Sequence, residues 1–519
     1  MLTSSLTQFI RRIGICALAL AVGVSAAIAL LLLVSSPPAH AQAAEGPHPV
    51  PNTALAESLP AGAPANWWAA VQEQLHQDLA NASASLNSSA ALTLTGPMSS
   101  SFGFLATTAG DVNGDDFSDV IIGAYGALSN TGKAFLYLGS ANGLSITPAV
   151  TLTGEAENNY FGTAAGTAGD VNGDGYGDVI VGAPVYSPSI TYTFGGLGRA
   201  YLYLGGATGL NATPVLTLTG SSPLGDFGYP VGTAGDVNGD DYSDVIIGAY
   251  TAVSGTGQAY VYLGGPNGLS ASPAVTLTGE TTGSSFGFGA STAGDVNGDG
   301  YGDVIVGAWN YPTNTVQTGQ AYVYLGSVSG LSSTPIFTAT GENTHDYLGW
   351  SVGTAGDVNG DGYADVVVGA TGYLTGAGRV YIYAGGPGGI NATPIFTATG
   401  ETSGDNLGDR VVGTAGDVNG DGYADVILGT WGYNGSTGRA YVYLGSAQGL
   451  SASGVLTFTG EAINNRFGMS VATAGDVNGD GYSDILIGAP GYNSGTGRAY
   501  VYLGSLDVFF KSYLPLITK

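Results

Sequence analysis

Seven times along this 519-residue chain, three aspartates and an asparagine fall at positions 1, 3, 5 and 9 of a short loop. The sets are Asp111, Asn113, Asp115 and Asp119; Asp170, Asn172, Asp174 and Asp178; Asp236, Asn238, Asp240 and Asp244; Asp295, Asn297, Asp299 and Asp303; Asp357, Asn359, Asp361 and Asp365; Asp417, Asn419, Asp421 and Asp425; and Asp476, Asn478, Asp480 and Asp484. With the backbone carbonyl at position 7, every donor is oxygen, and alternate residues of a tight loop turn toward one centre. That chemistry suits a hard cation taking six to eight oxygens at ~2.3–2.6 Å, so up to seven Ca²⁺ ions are expected. Zinc would want His or Cys, and magnesium prefers fewer protein ligands in a strict octahedron. Position 12, where an EF-hand carries glutamate, is Ile122 in the first copy and apolar in the others. Turn formation alone would explain one or two Asp-Gly pairs, not four donors kept at one spacing seven times. Position 6 is Gly in five copies but Asp116 and Asp241 in two, so a left-handed backbone with some strain and a different affinity is expected there.

The loops begin 59, 66, 59, 62, 60 and 59 residues apart, and each sits in the same frame. A Thr-x-Thr-Gly strand comes first, then a Phe-Gly or Leu-Gly pair, the acidic loop, an apolar run ending near Gly-Ala, and an Ala-Tyr-Val-Tyr-Leu-Gly strand. Runs such as Val120-Ile121-Ile122 are apolar on both faces, so each unit of about four strands needs a covering sheet on either side. Units of this kind must stack, in a line or in a ring. A line needs polar capping units, whereas the terminal units here carry the same apolar strands as the middle ones. The expected fold is all-β: a seven-bladed β-propeller of four-stranded blades with cation-binding hairpin loops. Leu92-Thr93-Leu94-Thr95 precedes the first full unit and the last unit lacks such a strand, so these residues are expected to close the ring.

The repeats resemble the FG-GAP family, best known from the N-terminal propeller of integrin α subunits, over about residues 91–505. The resemblance rests on Phe102-Gly103 with Gly123-Ala124, Phe161-Gly162 with Gly182-Ala183-Pro184, and Phe467-Gly468 with Gly488-Ala489-Pro490. Leu348-Gly349, Leu407-Gly408 and Gly429-Thr430 depart from it, and looser local packing is expected there. It implies calcium loops between the first two strands of each blade, and loops after the second strand on the opposite face.

Those opposite loops carry Tyr125, Tyr186, Tyr250, Trp309 with Tyr311, Tyr373, Trp431 with Tyr433, and Tyr492. Rings so placed either pack between neighbouring blades or stack on a sugar or peptide ligand, with Trp309 and Trp431 the anchors in the second case. The four histidines include only His345 within the repeats, and no nucleophile elbow, phosphate loop or zinc signature occurs. The expectation is therefore a ligand-recognition or adhesion module and no enzyme; a calcium-dependent hydrolase or lyase, and a structural surface protein, are the alternatives.

Net charge is −27, which argues against nucleic acid and anionic lipid as partners and leaves an extracellular protein or glycan. Arg11 and Arg12 lead into an apolar run from Ile13 to Val34, so 1–41 reads as a signal peptide or an uncleaved anchor, the only route to a membrane. Secretion or cell-surface display follows. Residues 42–90 read as a Pro/Ala-rich linker with a short amphipathic helix, and 506–519 as an apolar tail, either a packed strand or a sorting signal. Oligomeric state has no signal.

Overall fold

The computed structural model describes residues 90–187, 196–312, 316–410, 412–452 and 455–505. The leader, almost all of the linker and the tail lie outside them, as does most of the long loop of the second repeat. No helix among the described residues is long and apolar enough to cross a membrane.

Among the described residues, twenty-eight strands form seven four-stranded antiparallel sheets. The first blade runs Leu105–Gly110, Asp119–Ala124, Lys133–Tyr137 and Val150–Thr153 from its inner to its outer strand. Burial follows position. Second strands such as Asp119–Ala124 are buried at every residue, while outer strands alternate, as in Leu92–Thr95, where Leu94 faces in and the threonines face water. The chain repeats this blade six times, the seventh blade comprising Ser470–Gly475, Asp484–Ala489, Arg498–Tyr502 and, from the other end of the repeats, Leu92–Thr95. Leu92 pairs with Val501 and Thr95 with Arg498, so the ring is closed by the strand that the repeat count leaves over.

The apolar core is seven seams, each filled by residues of two adjacent blades. Ile121, Leu136 and Leu152 of the first blade meet Phe161, Val179 and Tyr201 of the second. The closing seam is no thinner, since Leu94, Leu486 and Val501 pack on Ile122, Phe135 and Tyr137.

The repeating Gly pairs have a steric reason. A Cβ on Gly307, at the end of a second strand, would strike the backbone carbonyl of Gly349 in the next blade. Gly349 itself has φ +81°, and a Cβ there would meet the Gln320 carbonyl of the blade before. Adjacent sheets thus touch backbone to backbone, which only glycine permits. Gly307→Ala is expected to destabilise by about 3 kcal/mol or more, because the obstacle is backbone and cannot rotate away. A melting curve of this variant within a degree of the parent would refute the contact.

The Leu-Gly departures do not loosen the seams. Leu348 and Leu407 are as buried as the phenylalanines they replace. The missing ring is supplied by the outer strand of the preceding blade: Phe337 packs on Tyr383 and Phe396 on Tyr443, each at 5.1 Å between centroids. Aromatic volume has moved along the chain, and the seam keeps its filling.

Candidate functional site

Each acidic loop joins the inner strand to the second strand, at one end of the propeller. Its first aspartate accepts from the loop's own backbone: in the first copy Asp111 Oδ1 takes the N–H of Gly114 at 2.7 Å and Oδ2 that of Asp116 at 2.9 Å. Asp115 accepts from Asn113 Nδ2 and from the Phe117 N–H. Asp116 and Asp241, the two non-glycine residues at position 6, sit at φ +68° and +69°, the left-handed conformation expected of them. The ninth residue, Asp119, is wholly buried and ties the loop to the sheet, accepting from Val112 N–H and Gly139 N–H at 2.9 Å each.

These buried carboxyls have no cationic side chain in an ion pair with them among the described residues. Burial pushes Asp119, Asp303, Asp365 and Asp484 up to about 7, Asp178 and Asp244 to about 6 and Asp425 to about 8; two backbone N–H groups oppose the rise and the other two loop carboxylates add to it. Two carboxylates beside a buried third suit a hard divalent cation. As the side chains stand, however, no three Asp, Glu, His or Cys residues among those described are gathered closely enough to hold a metal. The carboxylates are turned onto loop N–H groups instead.

The loops are linked in a circle. The residue at position 8 donates its N–H to the position-1 carbonyl of the preceding blade, from Gly177 to Asp111 at 2.7 Å round to Ser118 onto Asp476 at 2.9 Å. A change in one loop is therefore felt at the neighbouring seam.

At the other end, rings crowd the axis. Phe104 meets Tyr125 at 4.5 Å, Tyr229 meets Phe288 at 5.3 Å, and Trp350 lies 4.8 Å from both Phe288 and Trp309. Tyr250 packs on Phe288 at 5.0 Å, and Tyr125 stacks on Tyr160. Across this cup reaches Arg410, its guanidinium 4.5 Å from the Phe104 ring centre and bonded to the Tyr229 hydroxyl at 3.0 Å. A cavity of about 380 Å³ opens between these side chains. Beside it, Trp431 donates its indole N–H to Asp409 Oδ2.

The remaining predicted rings lie further out. Tyr186, Tyr373, Tyr433 and Tyr492 each carry an arginine on their face, Arg199, Arg379, Arg439 and Arg498, at 3.6–3.8 Å from the ring centre. Each arginine also pairs with a glutamate after the outer strand of the preceding blade: Glu155, Glu342, Glu401 and Glu461. These tyrosines thus belong to clamps across blade seams. Tyr311 packs at the edge of the seam between the third and fourth blades. In the third and fourth blades Gln258 and Gln320 replace the arginine; they keep its bond to a threonine of the outer strand and accept from the Tyr260 and Tyr322 hydroxyls of their own strands, but carry no charge for a glutamate. The clamps are half-exposed, so Arg439→Gln is expected to cost no more than about 1 kcal/mol in denaturant unfolding. A loss several times larger would mean that the clamps carry the seams.

Comparison with known families matches the FG-GAP repeat at residues 104–137, 161–203, 227–262, 286–324, 348–383, 411–443 and 467–502, once per blade. The chain belongs to the FG-GAP repeat family. Similar curated proteins include integrin alpha-IIb of Mus musculus, 40% identical over 181 residues, covering 34% of this chain and 17% of the relative. Integrin alpha-5 of Xenopus laevis is 32% identical over 241 residues, covering 44% and 22%, and integrin alpha-8 of Mus musculus 32% over 210 residues, covering 39% and 19%. The matched region is about a fifth of the length of these relatives.

Within the FG-GAP frame the cup has a simple origin that the sequence reading missed. The residue after each Phe-Gly or Leu-Gly pair opens the inner strand at the axis, and it is Phe104, Tyr229, Phe288 and Trp350 in four blades. Registering the seven copies on that pair would have exposed the aromatic column. Of the predicted rings, Tyr125, Tyr250 and Trp309 join the cup.

Proposed function

We propose that this chain is an extracellular, calcium-loaded recognition or adhesion module, secreted or displayed at the cell surface, which takes a protein or glycan ligand on its aromatic end and performs no catalysis. The observation that carries this reading is the cup: rings from four blades converge on a cavity at the axis, although each blade already has a complete apolar seam of its own. Concave sites lined by aromatic groups with a few fixed polar groups are the usual form of ligand sites. Kinship with integrin α subunits supports recognition over catalysis. The oxygen-only loops with buried, unpaired carboxyls support calcium at the opposite end, where Asp111, Asn113, Asp115 and Asp119 and their six counterparts would hold it; the ion would neutralise them and brace the loop circle.

Trp309, within the cup, and Trp431, at its edge, are the proposed anchors. Truncating a central buried anchor commonly costs ~2 kcal/mol or more of binding. Glycan and protein arrays probed with the calcium-loaded chain should therefore yield ligands whose binding falls at least tenfold in Trp309→Ala and Phe288→Ala, with fold retained by circular dichroism. Ligands held equally well by both variants would place recognition elsewhere and sink the reading.

A further inference from the structure

Among the described residues Arg410 is the one basic residue at the mouth of the axis that reaches into the cup, and its chemistry is unfinished. A guanidinium carries five N–H donors. Among the described residues Arg410 makes a single side-chain hydrogen bond, to the Tyr229 hydroxyl, and stands in no ion pair. Four of the other basic side chains on the propeller are paired with glutamates at the rim. Arg410 instead holds its fork over Phe104, in the wall of the 380 Å³ cavity. The same wall contains Asp226, whose carboxylate already accepts from the Thr251 hydroxyl at 2.9 Å, together with the rings of Phe288 and Trp350. Asp409, next in sequence, has one oxygen engaged by Trp431 and the other buried without a hydrogen-bond partner, and it forms no ion pair with the guanidinium.

We propose that the cup binds a carboxylated sugar ring, a hexuronate unit of an acidic glycan, with its carboxylate on the Arg410 fork. This deepens the recognition reading above and rests on it. A guanidinium with free N–H groups pairs bidentately with a carboxylate, and does so more tightly where water is excluded. The aromatic walls offer flat faces to the C–H side of a pyranose, and Asp226 with the tyrosine hydroxyls offers partners for ring hydroxyls. A neutral sugar would leave the fork unmet. An acidic peptide side chain would meet the fork but leave the flat walls and the other polar groups unused. The volume lies at the lower end of the ~300–1,000 Å³ usual for small-ligand sites, which suits one ring.

The test is calorimetric titration of the full calcium-loaded chain with oligogalacturonate and oligoglucuronate, their methyl esters, neutral oligosaccharides of equal length, and an aspartate-containing peptide amide. The proposal expects a uronate to bind, its methyl ester and the neutral sugars to bind at least tenfold more weakly, and Arg410→Lys to lose a similar factor for the uronate alone. The ester arm leaves the protein untouched, so it decides the matter even if Arg410→Lys fails to fold. Equal binding of acid and ester, uronate binding indifferent to Arg410→Lys, binding of the peptide alone, or binding of no uronate would each overturn it. If no uronate binds but array ligands still depend on Phe288 and Trp309, the recognition reading stands and only this inference falls; if array ligands ignore those residues, both fall.

Discussion

Stripping divalent cations should lower the melting temperature by on the order of 10 °C, and millimolar calcium should restore it. Of the 38 acidic residues, 21 are the aspartates at positions 1, 5 and 9 of the seven loops, and Asp116 and Asp241 raise the loop total to 23. Calcium sites in extracellular modules are typically weak, with Kd ~10⁻⁴–10⁻³ M, so each ion held by a loop would add only about 1 kcal/mol at millimolar calcium. Seven add up. The circle of hydrogen bonds from one loop to the next, Ser118 onto Asp476 included, spreads the loss across every seam. Asp295→Ala should therefore lower the melting temperature by a fraction of the full chelation effect.

The pH dependence of the chelated protein carries its own sign. In the folded chain the buried loop carboxyls sit near 6 to 8, against an ordinary value of 3.8. Folded protein then binds more protons than unfolded protein between about pH 4 and pH 8, and stability falls as pH rises through that window. Acidification in chelator, from pH 8 to pH 5, should raise the melting temperature. With calcium bound the carboxyls are held ionised, and acidification should lower it by displacing the ion. Parallel pH profiles with and without calcium would count against occupied loops.

Deleting residues 91–96 should be nearly as damaging. It removes the strand that pairs with Arg498–Tyr502, takes Leu94 out of the closing seam and leaves a long unpaired edge. Burial of that leucine alone is worth about 2 kcal/mol, and an open ring also loses the seam between the last and first blades. We expect a chain that melts far below the parent or aggregates. Removing 506–519 should change the melting temperature by no more than a degree or two. The reverse outcome, with the tail essential and 91–96 dispensable, would contradict the closure.

The blades were legible because every blade writes the same local chemistry: a buried Asp after an oxygen-rich turn, a two-sided apolar strand, and paired glycines where sheets touch. The closing strand was legible by arithmetic, since one Thr-x-Thr-Gly copy had no blade of its own. The cup was not, because its members meet only through the ring. Tyr229 and Arg410 lie 181 residues apart in the chain and in different blades, so no local pattern joins them. The tyrosines of the loops after the second strands were visible as rings, but their arginine caps were not, since Arg439 and its glutamate Glu401 come from different units. The exchange of Phe for Leu at residues 348 and 407 looked like a loss until the outer-strand rings Phe337 and Phe396 were seen to fill the same seams.

Hydrogen exchange of the calcium-loaded chain, free and bound to a ligand selected from the arrays, tests the location of recognition most directly. The account predicts new protection in the segments that open the inner strands at the axis, around Phe104, Tyr229, Phe288, Trp350 and Arg410. Protection confined to the acidic loops at the other end, or to the outer strands, would contradict it.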